Sequence, residues 1–409
     1  MGCDYADPFN DNDPDLKELD MVWALGHGFP MPKATQFSAH QQQTALRAWP
    51  VLPLFSRRLS LALMAALCLA CARAQEAPPA EFRARFLQLC DLVAAKVSDA
   101  NSAGSFFVDS YAVRTLCAAY DLTGNQRYLE ASRQWSGRMV GFQDKMVPAG
   151  AYYMHYNRQP GQTNGDWYVA DSASIGMAVL ATAVRCSGAE RQHLVDSVQK
   201  FAGLVMSNYI KPSGGVTDGL WHQSSDEWWC SSGIFGSLSF LLYQETGEER
   251  YLHCGLRVAD WLDQWDLTKP QPFPLSEQGP AMLMYVMECY SAGWPLIIKD
   301  EARKEAATAK VAWCLHWITG QQAVPLAQRP WPVTKGWGMK FGGLPFHEYV
   351  FSRHLPQDKS LLTNGDQDMR QLASVVFDGA PKVTQLSMFM LMSYAERLKP
   401  GAIYREEAR

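Results

Sequence analysis

Three aspartates sit where a proton-transfer site could be built. Asp109 lies in SFFVDSY, Asp171 closes AYYMHYNRQPGQTNGDWYVADS, and Asp226 lies in TDGLWHQSSDEWW. Each stands at or just before the start of a helix rich in small residues. A carboxylate there can act as general acid, general base or nucleophile. It can also do no more than cap a helix, because an Asp at that position satisfies orphan backbone amides. A helix N-terminus stabilises the carboxylate form, which suits a base or nucleophile; a proton donor needs desolvation as well.

The surrounding loops are dense in aromatic and polar side chains. The first holds Tyr153, His155, Arg158, Asp166 and Trp167, and the second holds Asp218, Trp221 and His222. A third, RPWPVTKGWGMKFGGLPFHEY, holds Trp337 and His347 beside Lys335, Lys340 and Glu348. Flat apolar rings with a few orienting polar groups suit a sugar. Arg158, Lys335 and Lys340 could pair with a uronate carboxylate. The expected partner is therefore an oligosaccharide or polysaccharide fragment. Trp228 and Trp229 fit a helical core better than a sugar subsite. His347-Glu348 fits a cap pair and an acid/base pair equally well.

The elements that must position these residues repeat along the chain. YDLTGNQRYLEA (120–131) recurs as YQETGEERYLHC (243–254), with a looser copy, CSGAERQHLV, at 186–195. Each copy follows an apolar helix and opens a more polar one, with Gly124, Gly188 or Gly247 at the turn. The first helix of each pair is rich in Ala, Ser and Gly, as in DSASIGMAVLATA and CSSGIFGSLSFLL. Such a helix suits enclosure on several sides. The second is amphipathic with a charged face. This pattern predicts an all-α (α/α)5–6 toroid of helix hairpins, with an inner and an outer ring. Inner helices are expected near 109–120, 171–184, 229–243, 278–292 and 383–396, and a further one near Pro345 or Asp366. An open solenoid is the structural rival.

The TG-x-x-R-Y-L segments at 123–129 and 246–252, with aspartates at inner-helix starts, resemble the six-hairpin glycosidase superfamily of (α/α)-toroid enzymes. The resemblance spans roughly residues 80–400. Asp109 and Asp171 opening successive inner helices are nearest to the unsaturated glucuronyl and rhamnogalacturonyl hydrolases, which implies that these aspartates perform the proton chemistry. The Trp/Arg/Gly-rich segment of those families has only a partial echo in Lys335-Gly336-Trp337-Gly338.

The expected activity is thus a glycoside hydrolase acting on uronate-containing oligosaccharides. A polysaccharide lyase using Tyr and His of the 152–158 loop is the first alternative, and a non-catalytic glycan-binding protein is the second. A sugar epimerase of similar fold fits poorly with export. The chain has 409 residues and a net charge of −4, and lacks a long basic run after residue 74, so nucleic acid is not an expected partner. Phosphate loops and dinucleotide fingerprints are absent, so no organic cofactor is expected. After residue 74, CxxC and HExxH patterns are absent too, so no metal site is expected.

Residues 56–74, SRRLSLALMAALCLACARA, have the tripartite form of an export signal ending in a small-x-small site. The apolar run is shorter than the roughly 20 residues that span a bilayer, so stable membrane insertion is not expected. The chain is thus expected to be exported, periplasmic or secreted, with a single toroid over residues 75–409. Residues 1–55 read as a disordered leader or a mis-assigned start. Seven cysteines follow residue 74 without paired spacing, so few or no disulfides are expected.

Overall fold

The computed structural model describes residues 77–102, 104–154, 165–219, 226–265, 283–322, 342–355 and 357–405. The export signal and the leader lie outside these residues. The chain divides into two units, Met1–Ala77 and Pro78–Arg409, and every helix described lies in the second.

Twelve helices are described: α1 Ala80–Ser98, α2 Phe106–Thr123, α3 Gln126–Gln143, α4 Val169–Ala183, α5 Gly188–Asn208, α6 Trp229–Thr246, α7 Glu249–Gln264, α8 Leu283–Ile297, α9 Glu301–Gln322, α10 Leu344–His354, α11 Ser360–Val376 and α12 Gln385–Leu398. Among the described residues there is no strand, only three isolated antiparallel bridges.

The repeated Thr-Gly segment has a local cause. The Thr123 hydroxyl donates to the Ala119 carbonyl at 2.7 Å and accepts from the Asn125 N–H at 3.2 Å. Thr246 makes the same pair, to Leu242 at 2.8 Å and from Glu248 at 3.2 Å. One hydroxyl thus closes the old helix and pins the first residue after the turn. Gly124 (φ 70°) and Gly247 (φ 72°) between them adopt the left-handed conformation that a side chain would strain. Tyr128 and Tyr251, four residues after each glycine, are 3 % and 1 % exposed. They fold the returning helix onto its partner.

The even-numbered helices form a closed ring. α2 packs on α4, α4 on α6, α6 on α8, α8 on α10, α10 on α12, and α12 returns to α2. That closure excludes the open solenoid and gives six inner helices, each followed or preceded by an outer one. The inner helix expected near Pro345 or Asp366 is α10, which begins at Leu344; Asp366 lies on the outer α11. Small residues allow the tight ring. A Cβ on Gly233 of α6 would stand 2.3 Å from the Tyr285 carbonyl of α8. The buried serines of α6 satisfy themselves: Ser232, Ser237 and Ser239 donate to the carbonyls four residues earlier.

The axis of the ring is filled. Arg114 of α2 donates through Nη1 to Glu288 of α8 at 3.0 Å, with side chains 1 % and 3 % exposed. α2 and α8 are the first and fourth of six inner helices, so this ion pair crosses the ring. Arg114 also stacks over the Tyr111 ring at 4.3 Å and reaches Ser174 on α4 at 3.5 Å. From the C-terminal segment, the Tyr404 hydroxyl donates to Glu288 at 3.2 Å.

Removing one partner of such a pair leaves an uncompensated buried charge. Arg114→Met is therefore expected to lower the unfolding free energy by about 3–5 kcal/mol, and Arg114→Met with Glu288→Met to recover most of that loss. Urea denaturation of the single and double variants checks this; equal losses in both would contradict it.

Candidate active site

The site is built where α4 and α6 begin. Tyr168 precedes α4 in extended conformation and offers no capping bond from its own side chain. The cap arrives from the loop before α6. Tyr168 bridges Gly219, and the Val169 N–H donates to the Asp218 carbonyl at 3.3 Å. The Asp218 carboxyl then accepts from the Ser231 hydroxyl on the first turn of α6 at 2.5 Å and from the Ala170 N–H on α4. Asp218 thus joins two neighbouring inner helices at their leading ends.

The loop that carries Asp218 is clamped. The Thr217 N–H donates to the Tyr209 carbonyl at 2.9 Å, and the Trp228 N–H donates to the Val216 carbonyl at 2.8 Å. Upstream, a Cβ on Gly215 would stand 2.5 Å from Trp261 of the outer α7. Trp261 in turn donates its indole N–H to Glu227 at 3.2 Å. On the other side, Trp167 lies against Gly219, where an added Cβ would come within 2.7 Å of the indole.

Asp218 is 1 % exposed, and its Oδ2 has no hydrogen-bond partner among the described residues. Burial raises its pKa well above the usual carboxylate range. The Ser231 bond opposes the rise, the nearby charge of Asp171 adds to it, and the Ala170 N–H opposes it. Asp171, on the first turn of α4, is 5 % exposed. Tyr168 is also pushed up, by burial first and then by Asp166, Asp171 and Asp218. Two carboxyls that feel each other's charge, one with a raised pKa and an uncommitted oxygen, are what a proton donor working beside a base or nucleophile requires.

The remaining candidates scatter. Asp109 is 2 % exposed and forms an ion pair with Lys96 of α1. It lies five residues before Arg114, so at about 100° per residue it projects from a face about 140° away from the axis-directed one. It does not join Asp171. Asp226 is exposed just ahead of α6. Tyr153 is 1 % exposed, packed edge-on against Phe106 at 5.9 Å and Phe142 at 6.1 Å. Trp167 is 2 % exposed, with Tyr209 at 5.2 Å. Asp166 is half-buried, and its carbonyl accepts from the Met154 N–H at 2.8 Å. His347 is 2 % exposed on α10, with Nδ1 3.0 Å from the Ser291 hydroxyl. Burial and then the Arg114 charge push its pKa down to about 3, so it is a neutral core histidine. Trp228 and Trp229 are core, at 4 % and 1 % exposure. His155, Arg158, Trp221, His222, Trp337, Lys335 and Lys340 lie outside the described residues.

The sequence places Asp218 within an aromatic loop but assigns it no role. The Asp218-Gly219 pair marks a turn, and nothing in the spacing announces that Ser231 and Ala170 meet its carboxyl. Among the described residues, no group of three or more His, Cys, Asp or Glu is arranged to hold a metal ion, and no helix is long and apolar enough to cross a membrane. None of the seven described cysteines forms a disulfide with another.

No protein-family model matches the chain, and no curated protein matches it. Solved structures do. The glycoside hydrolase family 76 mannosidase Bt3792 from Bacteroides thetaiotaomicron VPI-5482 superposes with a TM-score of 0.50 at 11 % identity, over 81 % of this chain and 100 % of that one. A family 76 glycoside hydrolase from a bovine Bacteroides thetaiotaomicron strain gives a TM-score of 0.49 at 14 % identity, over 72 % of this chain and 69 % of that one. The first likeness shows the fold, an (α/α) toroid, and neither structure is of the unsaturated glucuronyl type.

The raised pKa of Asp218 makes a signed prediction. A carboxyl whose folded pKa lies above its unfolded value favours folding while protonated. Its contribution is full at acid pH and is lost as pH rises through the folded value. Asp218→Asn, isosteric and neutral, is expected to be more stable than the parent at neutral pH, with the gap closing toward acid. Thermal melts of both proteins across pH measure the gap; a parent that is the more stable at neutral pH would contradict the assignment.

Proposed function

We propose that this chain is a glycoside hydrolase in which Asp218 donates the proton and Asp171 acts as base or nucleophile. The observation that carries the reading is the adjacent carboxyl pair at the starts of α4 and α6. Asp218 is desolvated and keeps one oxygen uncommitted. Hydrolysis of a glycosidic bond needs one carboxyl protonated and one ionised at working pH. The toroid shared with a family 76 enzyme supports the reading, since that enzyme is a glycoside hydrolase.

For the substrate we propose a uronate-containing oligosaccharide, with Arg158, Lys335 and Lys340 as the cations that pair its carboxylate. On an unsaturated uronide, the same pair would protonate the vinyl-ether double bond and direct water onto the neighbouring carbon. A mannoside is the second reading, favoured by the structural neighbour, which is a mannosidase. The lyase alternative loses Tyr153 as its base, because that ring is packed between Phe106 and Phe142. Residues 56–74 would export the enzyme to its polysaccharide.

The test is digestion of unsaturated uronate oligosaccharides, uronate polymers and mannosides by the parent, Asp171→Asn and Asp218→Asn. Loss of the near-ultraviolet chromophore marks the uronide hydrolase, new reducing ends from mannosides mark the second reading, and gain of chromophore from a polymer marks a lyase. Each variant should lose about 10²–10⁴-fold in kcat while keeping its helical circular dichroism. Unchanged turnover in both variants, or glycan binding with no product from the parent, would end the hydrolase assignment.

A further inference from the structure

Ser232, Ser237 and Ser239 of α6 give their hydroxyl hydrogens to carbonyls of their own helix. Ser231 instead donates to Oδ1 of Asp218 at 2.5 Å, its one acceptor among the described residues. It is fully buried on the first turn of α6. The next residue does a different job. Ser232 Oγ accepts from the Val216 N–H at 2.9 Å, two residues before Asp218. Ser232 thus holds the backbone of the segment, and Ser231 holds its carboxyl.

The Ser231 contact decides where a proton on Asp218 can sit. A neutral carboxyl has one carbonyl-type oxygen, which accepts, and one hydroxyl oxygen, which donates. Oδ1 receives the Ser231 hydrogen, so Oδ1 is the carbonyl-type oxygen. The proton falls to Oδ2, which has no hydrogen-bond partner among the described residues. When that proton leaves, the remaining negative charge is shared with Oδ1, where Ser231 meets it. A hydrogen bond strengthens when its acceptor becomes an anion.

We propose that Ser231 is the positioning residue of the acid, a role that rests on the reading of Asp218 as proton donor: by occupying Oδ1 it keeps the donated proton on Oδ2. Burial and the charge of Asp171 raise the pKa of Asp218, and the Ser231 hydroxyl limits the rise because it favours the ionised form. Ser231 thereby sets the alkaline edge of turnover. The titratable groups nearby are Asp171 on α4 and, just ahead of that helix, Tyr168, which feels Asp166, Asp171 and Asp218 in turn. On the α6 side Asp226 is exposed, and Glu227 accepts from the Trp261 indole of the outer α7.

Carbon-13 NMR of the full-length chain, labelled at its aspartate carboxyls, tests this without substrate. The Asp218 resonance is the one that Asp218→Asn removes, and its titration gives the midpoint. Ser231→Ala should raise that midpoint by about one unit, the margin of one hydrogen bond to a charged group. Ser231→Cys, close in volume but a weaker donor, should raise it by less. Ser232→Ala should lower the melting temperature and leave the midpoint in place. In the pH profile of kcat/KM, the alkaline limb should follow the midpoint in each variant. An unmoved midpoint in both Ser231 variants, an equal rise in Ser232→Ala, or a limb that stays put while the midpoint moves would overturn the proposal. A midpoint that rises as expected in a chain whose turnover survives Asp218→Asn would support the hold of Ser231 on the proton and overturn instead the reading of Asp218 as donor.

Discussion

Arg114 and Glu288 meet across the middle of a ring of six helices, and much of the architecture is organised around that contact. A guanidinium and a carboxylate, 1 % and 3 % exposed, are tolerable only if each finds its partner. Finding it requires α2 and α8 to stand opposite one another, which in turn requires the two helices on either side to be in place. The pair therefore acts as a register check on ring closure. It also blocks the axis, so the leading ends of the inner helices and their trailing ends become separate chemical spaces. Burial costs Arg114 some of its preference for charge, and Glu288, Tyr404 and Tyr111 more than restore it.

Tight packing at the ring explains why the inner helices are poor in large polar side chains yet rich in serine. A serine can donate to its own helix and present almost no volume to its neighbour. A glycine such as Gly233 lets two backbones touch. With every face of α2, α4 and α6 covered by neighbours, the ends of these helices are where chemistry can be placed. The segment from Tyr209 to Gly219 uses that opportunity. It is fixed against the outer α7 through Gly215 and Trp261, and it delivers Asp218 to the mouths of two inner helices at once. The burial that holds the carboxyl still also raises its pKa.

The hairpin organisation was legible in the sequence because it is local. Thr123-Gly124 and Thr246-Gly247 encode a turn whose hydrogen bonds all lie within six residues, so the repeat and the helix boundaries follow from short-range rules. The site was legible only in outline. Asp109 and Asp171 occupy matching places at inner-helix starts, and sequence position alone treats them alike. The helical phase separates them: Asp109 pairs with Lys96 of the outer α1, while the charge of Asp171 is felt at Asp218. Asp218 itself depends on contacts with Ala170 and Ser231, one on each neighbouring helix. His347-Glu348 reads in sequence as a cap pair or an acid/base pair, and His347 is enclosed because Leu344 already starts α10. Glu288 is the single charge of α8 and Arg114 the single cation of α2, a signal that marks each as paired but does not say with what.

The most direct test is a crystal structure of Asp171→Asn soaked with uronate-terminated and mannose-terminated oligosaccharides in turn. The account predicts a sugar ring at the leading ends of α4 and α6, its glycosidic oxygen within hydrogen-bond reach of Asp218 Oδ2, and no sugar beyond the Arg114–Glu288 pair. A chain threaded through the ring past that pair, or an oligosaccharide bound only away from Asp218, would contradict it.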